Sequence, residues 1–208
     1  MIDPAGGAPA SQEPVPWWAP LRRLAGRAYR GLRRAAERTL HPIRRRSARA
    51  RLARLGPPRE VMVICFGNIC RSPYAAAVLS RLLQVENRTV TVSQGGFFGP
   101  DRRSPDTAQA AARERGVDLT GHRSSLITAA SAQAASLVIV MESSQAGRLV
   151  DEFGVPPARA LMLGDLDPEP IGGRDIRDPY GMGHEVFAAT YSRIDRCVAA
   201  LIGALPRG

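Results

Sequence analysis

The 208-residue sequence contains no lysine; all 29 of its basic side chains are arginines. That absence points to a GC-rich, bacterial genome. Cysteine is equally sparse, with only Cys65, Cys70 and Cys197. Three thiols cannot build a disulfide framework, and they indicate a reducing compartment. No run of eighteen apolar residues occurs, so no transmembrane helix is expected, and no apolar segment of the secretory type is found near the start. Internal repeats are absent too.

The net charge of +10 is unevenly held. Residues 1–60 carry fourteen arginines against Asp3, Glu13, Glu37 and Glu60, whereas residues 61–208 carry fifteen arginines and fifteen acids. The basic character therefore belongs to an extension over 1–59, and a neutral domain is expected over 60–208. Residues 1–16 are rich in Pro, Gly and Ala and read as disordered. Beyond Trp17, Trp18 and Pro20 a basic amphipathic helix is expected. Leu21, Leu24, Ala28, Leu32, Ala35 and Ile43 fall on one face of it, and Arg23, Arg27, Arg30, Arg34 and Arg38 on the other. His41-Pro42 and Pro57-Pro58 are expected to break this segment into two pieces. Tryptophans beside arginines suit peripheral attachment to an anionic membrane. An acidic protein partner ranks second and nucleic acid third.

From residue 60 onward, strand and helix patterns alternate. Strands are expected near 60–65, 88–93, 137–141 and 160–163, and helices near 71–85, 105–115, 128–134, 142–153 and 183–205. Such alternation specifies an α/β fold, three layers α/β/α, with a parallel sheet covered on both faces.

The chemistry is concentrated in Cys65-Phe66-Gly67-Asn68-Ile69-Cys70-Arg71-Ser72, followed by Pro73. The apolar run Val61–Ile64 precedes it and a helix follows, so the layout is strand, tight loop, helix. A helix N-terminus presents unpaired N–H groups, and a loop curled ahead of it aims more of them inward. Gly67 relaxes the turn, and Asn68 tolerates a left-handed conformation. Arg71 offers a planar fork for two phosphate oxygens. A pocket this positive favours a thiolate at Cys65, to which Ser72 can donate its hydroxyl. Attack by Cys65 on phosphorus would give a phosphocysteine. The leaving oxygen then needs a nearby carboxylic acid, which later activates water. Asp178, in the loop Asp178-Pro179-Tyr180-Gly181, is the candidate, with Asp175 in reserve. Tyr180 adds an aromatic wall.

The stretch resembles the low-molecular-weight protein tyrosine phosphatases, whose signature is Cys-x-Gly-Asn-x-Cys-Arg-Ser-Pro. The likeness continues through Val90–Ser93, Gly121–Ser125, Leu137–Glu142 and the Asp178 loop. It implies a four-stranded sheet with the phosphate loop after the first strand, Cys65 as nucleophile, Arg71 as phosphate clamp and Asp178 as general acid. It also implies a network of Asn68, Ser72, Ser93 and His122 holding the loop Phe66–Cys70 in shape. Phe97, Phe98 and Tyr180 would line the pocket mouth, although residues 94–103 depart from the family and an aromatic there serves a core as readily. The spacing of Cys65 and Cys70 matches members in which the two form a reversible disulfide. No metal or cofactor is implied.

Relatives of the same fold leave alternatives. Arsenate reductases need further relay cysteines, which are missing. Protein-arginine phosphatases carry Thr where Ile69 stands, and the bulky Ile69 favours an aromatic ester. A phosphate-reading module without catalysis is a third alternative. The expected partner is a phosphotyrosine protein, for which the resemblance suggests a bacterial tyrosine kinase, and the expected location is cytoplasmic, at the inner face of the membrane.

Overall fold

The computed structural model describes residues 19–207, with side chains from Tyr29 onward except Arg30 and Arg33. Residues 1–18, including Trp17 and Trp18, lie outside the described residues, as do the side chains of Leu21, Leu24 and the first arginines of the amphipathic segment.

Four parallel strands form one sheet in the order β2-β1-β3-β4: β1 (Glu60–Cys65), β2 (Thr91–Gly96), β3 (Leu137–Val140) and β4 (Ala160–Met162). The continuous apolar runs of β1 and β3 follow from burial on both faces. Val61, Val63, Leu137 and Ile139 point into one core, which α2 (Arg71–Val85), α3 (Asp106–Arg113) and α6 (His184–Ile202) cover. Met62, Ile64, Val138 and Val140 point into a second core, beneath α4 (Ala129–Ala134) and α5 (Ser143–Asp151). This is the α/β/α sandwich the alternation specified. Cys197 is fully buried in α6, where burial pushes its thiol up to about 12.

Two elements differ from the sequence expectation. β2 begins at Thr91 and runs to Gly96, later than 88–93, because its register with β1 extends to Cys65↔Gly96. A Cβ at Gly96 would stand 2.8 Å from the Asn68 nitrogen and the Phe66 carbonyl oxygen, so only glycine lets the loop cross the strand end. The amphipathic segment is a single helix, α1 (Ala19–Leu55), which passes through Pro42 instead of breaking there. Proline removes one helical hydrogen bond, but anchors on both sides offset the loss. Glu37 pairs with Arg44 across it, His41 Nε2 donates to the Asp167 carbonyl at 2.8 Å, and Ala48 and Leu52 are in the first core. The last turns of α1 are thus packed with the domain, whereas Tyr29, Leu32, Leu40 and Ile43 are exposed.

Candidate active site

The loop from Cys65 to Ser72 joins β1 to α2 at the carboxyl edge of the sheet, the usual ligand edge of open α/β folds. Pro73 falls in the first turn of α2, where its missing N–H costs nothing. Asn68 adopts φ 49°, the left-handed conformation its residue type permits.

Hydrogen bonds fix the loop in one orientation. Asn68 Nδ2 donates to Ser72 Oγ at 2.8 Å and to Gln94 Oε1 at 3.2 Å, while Asn68 Oδ1 accepts the Ser125 N–H at 2.9 Å. The Asn68 carbonyl lies 2.6 Å from His122 Nε2, which must therefore be the donor. Burial holds His122 below its ordinary pKa, against the opposing pull of that hydrogen bond. A neutral ring protonated at Nε2 leaves Nδ1 as an acceptor, and Gln94 Nε2 faces it at 3.5 Å. Ser72 Oγ already accepts from Asn68, so its proton is available to Cys65 Sγ, 3.1 Å away. Directionality thus passes from His122 and Gln94 through Asn68 to the sulfur.

Ser93 stands apart from this network. Its hydroxyl donates to Glu60 Oε1 at 2.7 Å, at the far side of the strand from the loop. Gln94 and Ser125 take the places the resemblance gave to Ser93. Ser125 ends the family-like stretch Gly121–Ser125 and Gln94 opens the segment that departs from the family; the fold brings both beside Asn68.

Arg71 is 1 % exposed and held by three acceptors. Nη2 donates to Asp178 Oδ2 at 2.7 Å and Nη1 to the Ile176 carbonyl at 2.8 Å and to the Glu142 carboxylate. Its Nε is buried without a protein acceptor. Glu142, at the exit of β3, is in turn held by Gln145 Nε2 at 3.3 Å. Glu142 closes the family-like stretch Leu137–Glu142 and is assigned no role there; it is 71 positions from Arg71. Asp175, the reserve acid, instead accepts from the backbone and hydroxyl of Ser143 at 2.9 and 2.7 Å.

A pocket of about 180 Å³ opens above the sulfur, lined by Cys65, Phe66, Gly67, Ile69, Cys70, Phe98, Arg102, Asp178 and Tyr180. Phe66 and Phe98 stack at 5.8 Å with ring planes 13° apart. Phe98 and Tyr180 occupy the mouth as expected. Phe97 does not: it turns to the other face of the sheet, edge-on to Phe153 at 5.7 Å and beneath the Arg148 guanidinium at 4.2 Å. Phe66 supplies the second aromatic of the mouth instead. Cys70 is buried beside Cys65, and burial, reinforced by the charges of Cys65 and Asp178, pushes its thiol up to about 12.

The arrangement sets the Cys65 sulfur in a pocket with the Asp178 carboxyl group and the Arg102 guanidinium on its wall, while Arg71 is buried behind Asp178. Comparison with known proteins gives the same reading. Residues 60–208 match the family described as low molecular weight phosphotyrosine protein phosphatase. The low molecular weight protein-tyrosine-phosphatase Wzb of Escherichia coli K12 is 30% identical over 137 residues, covering 66% of this chain and 88% of its own. In fold, the chain is similar to Vibrio vulnificus Wzb in complex with benzylphosphonate, with TM-score 0.61, 29% identity, and coverage of 71% of this chain and 99% of that one. It is also similar to the YwlE arginine phosphatase of Geobacillus stearothermophilus, with TM-score 0.60, 28% identity, and coverage of 70% and 92%. With a family match across the whole sheet and the loop geometry in place, the chain belongs to the low-molecular-weight protein tyrosine phosphatases.

Proposed function

We propose that Cys65, Arg71 and Asp178 carry out phosphotyrosine hydrolysis in two displacements. Cys65 attacks phosphorus, the P–O bond to the tyrosine breaks, and Asp178 delivers its proton to the departing phenolic oxygen. The resulting carboxylate then takes a proton from water, which attacks the phosphocysteine and releases inorganic phosphate and the Cys65 sulfur. The Ser72 hydroxyl stabilises negative charge on that sulfur when it leaves. Loop N–H groups hold the phosphoryl oxygens in both steps, and Arg71, whose Nη1 and Nη2 are engaged by Glu142, the Ile176 carbonyl and Asp178, has only its Nε left to join them. The observation that carries this reading is the convergence of Cys65, Asp178 and three aromatic rings on one pocket.

Ile69 and the aromatic mouth support a phenolic ester over a phosphoguanidine. Cys197, buried in α6, is no relay thiol for arsenate reduction. Competing hydrolysis of phosphotyrosine and phosphoarginine peptides of one sequence tests the substrate class. Equal rates, or preference for phosphoarginine, would overturn it. The polypeptide substrate is a phosphotyrosine protein, with a bacterial tyrosine kinase as the candidate that family resemblance suggests.

The same proposal gives Cys70 a protective role, in which the oxidised Cys65 sulfur is captured as a Cys65–Cys70 disulfide before irreversible oxidation. Both thiols line one pocket, which supports the pairing.

The division into an extension over 1–59 and a catalytic domain over 60–208 is a proposal about roles: chemistry in the second, location in the first. Among the described residues no helix is long and apolar enough to cross a membrane. The exposed stripe Tyr29, Leu32, Leu40 and Ile43 lies among arginines on α1, which suits the inner, anionic surface of a bilayer. Sedimentation with anionic vesicles tests this, comparing the intact chain with a Leu32→Ser, Ile43→Ser double variant. Equal binding by both would sink it.

A further inference from the structure

Arg102 is a second guanidinium on the wall of the catalytic pocket, in the segment where the sequence departs from its family. Its position is built. Nε donates to the Gly99 carbonyl at 3.2 Å, and Nη2 donates to the carbonyls of Gly67 and Phe98, both at 2.8 Å. The Phe98 ring lies 4.9 Å from its central carbon, within cation–π range. Two glycines make room for it. A Cβ at Gly67 would stand 2.7 Å from Arg102 Nη2, and one at Gly99 would stand 2.6 Å from Nε. Three carbonyls and a ring therefore preorganise this side chain, and its ordering cost has been met before any ligand arrives.

Its charge state sets it apart from Arg71. The side chains of Glu142 and Asp178 both face Arg71, whereas Arg102 has no carboxylate partner among the described residues. Its neighbour Asp101 is directed to Arg123, at 3.9 Å. Nη1 of Arg102 makes no hydrogen bond among those residues, so one end of the fork is open. Partly exposed beside the mouth, it stands outside the ring of donors around the sulfur.

We infer that Arg102 is a specificity-determining residue that receives a second anionic group of the substrate, the carboxylate of an Asp or Glu flanking the phosphotyrosine. The free Nη1 can donate a charge-assisted hydrogen bond to one oxygen of a carboxylate. Such a contact is made at the rim, so it acts on substrate binding and leaves the chemical steps to Cys65 and Asp178. The inference rests on the phosphotyrosine reading above.

The test uses paired phosphotyrosine peptides that differ only by Asp against Asn beside the phosphotyrosine, with 4-nitrophenyl phosphate as a substrate that has no flanking residue. The wild type should prefer the Asp peptide by about tenfold in kcat/KM, the worth of one charge-assisted hydrogen bond, with the difference in KM. Arg102→Met, which keeps the apolar stem over Phe98, should bring that ratio to about one. Equal kcat/KM for the two peptides in an active wild type would overturn the inference and leave the phosphatase reading intact. No turnover of either peptide or of 4-nitrophenyl phosphate would instead defeat the phosphatase reading. A preference that survives Arg102→Met unchanged, or an equal loss on all three substrates, would also overturn it. Should that variant fail to fold, the wild-type ratio is measured against salt. The preference should decline as salt screens the rim contact, and a salt-independent ratio would count against it.

Discussion

The Ser72 hydroxyl lies 3.1 Å from the Cys65 sulfur and accepts its own hydrogen bond from Asn68 Nδ2 at 2.8 Å. With Asn68 donating to that oxygen, the Ser72 proton faces two acceptors, the Cys65 sulfur at 3.1 Å and the more distant Gly95 carbonyl at 3.5 Å, and a thiolate at Cys65 is the stronger of the two. The relationship matters most when the sulfur departs from phosphorus. Ser72→Ala should slow turnover of aryl phosphates by about 10–100-fold, the worth of a hydrogen bond to a charged group. Phosphocysteine should then accumulate, seen as a burst of phenol in stopped flow. A variant with wild-type turnover and no burst would mean that Ser72 only shapes the loop.

Asp178 lines the pocket, and Asp175 does not. Asp178→Ala should lower kcat on aryl phosphates by about 10²–10⁴-fold, with the least loss for the most acidic phenols, which leave without a proton. Asp175→Ala removes the acceptor for Ser143 at the start of α5 and should cost stability more than rate. Steady-state kinetics over a series of substituted phenyl phosphates separates the two. Comparable losses in both variants would transfer the acid role from Asp178.

Burial keeps His122 below its ordinary pKa of 6.5. The folded state therefore binds its proton less readily than the unfolded chain does. Its contribution to stability is full above pH 6.5 and is lost as pH falls from there through the lowered folded value. Urea midpoints measured between about pH 7.5 and 5 should decline more steeply for the wild type than for His122→Gln. Parallel curves would show that another group governs this range.

Leu52 of α1 is 1 % exposed, whereas Leu32 of the same helix is 72 % exposed. Leu52→Ala should lower unfolding free energy by about 2–5 kcal/mol, and Leu32→Ala by less than about 0.5 kcal/mol. Chemical denaturation of the full chain checks both. Deleting residues 1–59 removes Ala48 and Leu52 from the core and should destabilise the domain as well as change its location.

Peroxide treatment followed by thiol trapping and mass spectrometry tests the protective role of Cys70. Cys65 should be recovered in a disulfide with Cys70 and return to the thiol on reduction. In Cys70→Ala, Cys65 should proceed to irreversible oxidation. Irreversibly oxidised Cys65 in the wild type, with no Cys65–Cys70 bond, would defeat it.

The bounds of α2, 71–85, were legible because the loop motif, Pro73 and an uninterrupted apolar pattern agree on them. The strand β1 and the loop beyond it were legible for the same reason of local consistency. The last positions of β2, Gly95 and Gly96, have no strand propensity to mark them; Gly96 is set by the close crossing of the Asn68 loop and Gly95 by the Ile127 side chain, 2.6 Å from where its Cβ would stand. Pro42 reads as a break because an anchor that carries α1 past it, the Asp167 carbonyl, lies 126 positions from His41. Glu142, Gln94 and Ser125 share that difficulty. Each acts through a contact that only the folded sheet creates. Nothing in the sequence marks Arg102, which lies in a segment without family pattern and takes its position from the two glycines that make room for it.

The most direct test of the central claim is rapid acid quench of the protein with radiolabelled aryl phosphate, followed by peptide mapping. The wild type should carry label on Cys65, and Cys65→Ser should hydrolyse the ester at no more than a trace of the wild-type rate. Full hydrolysis by Cys65→Ser, or label on a different residue of the wild type, would contradict it.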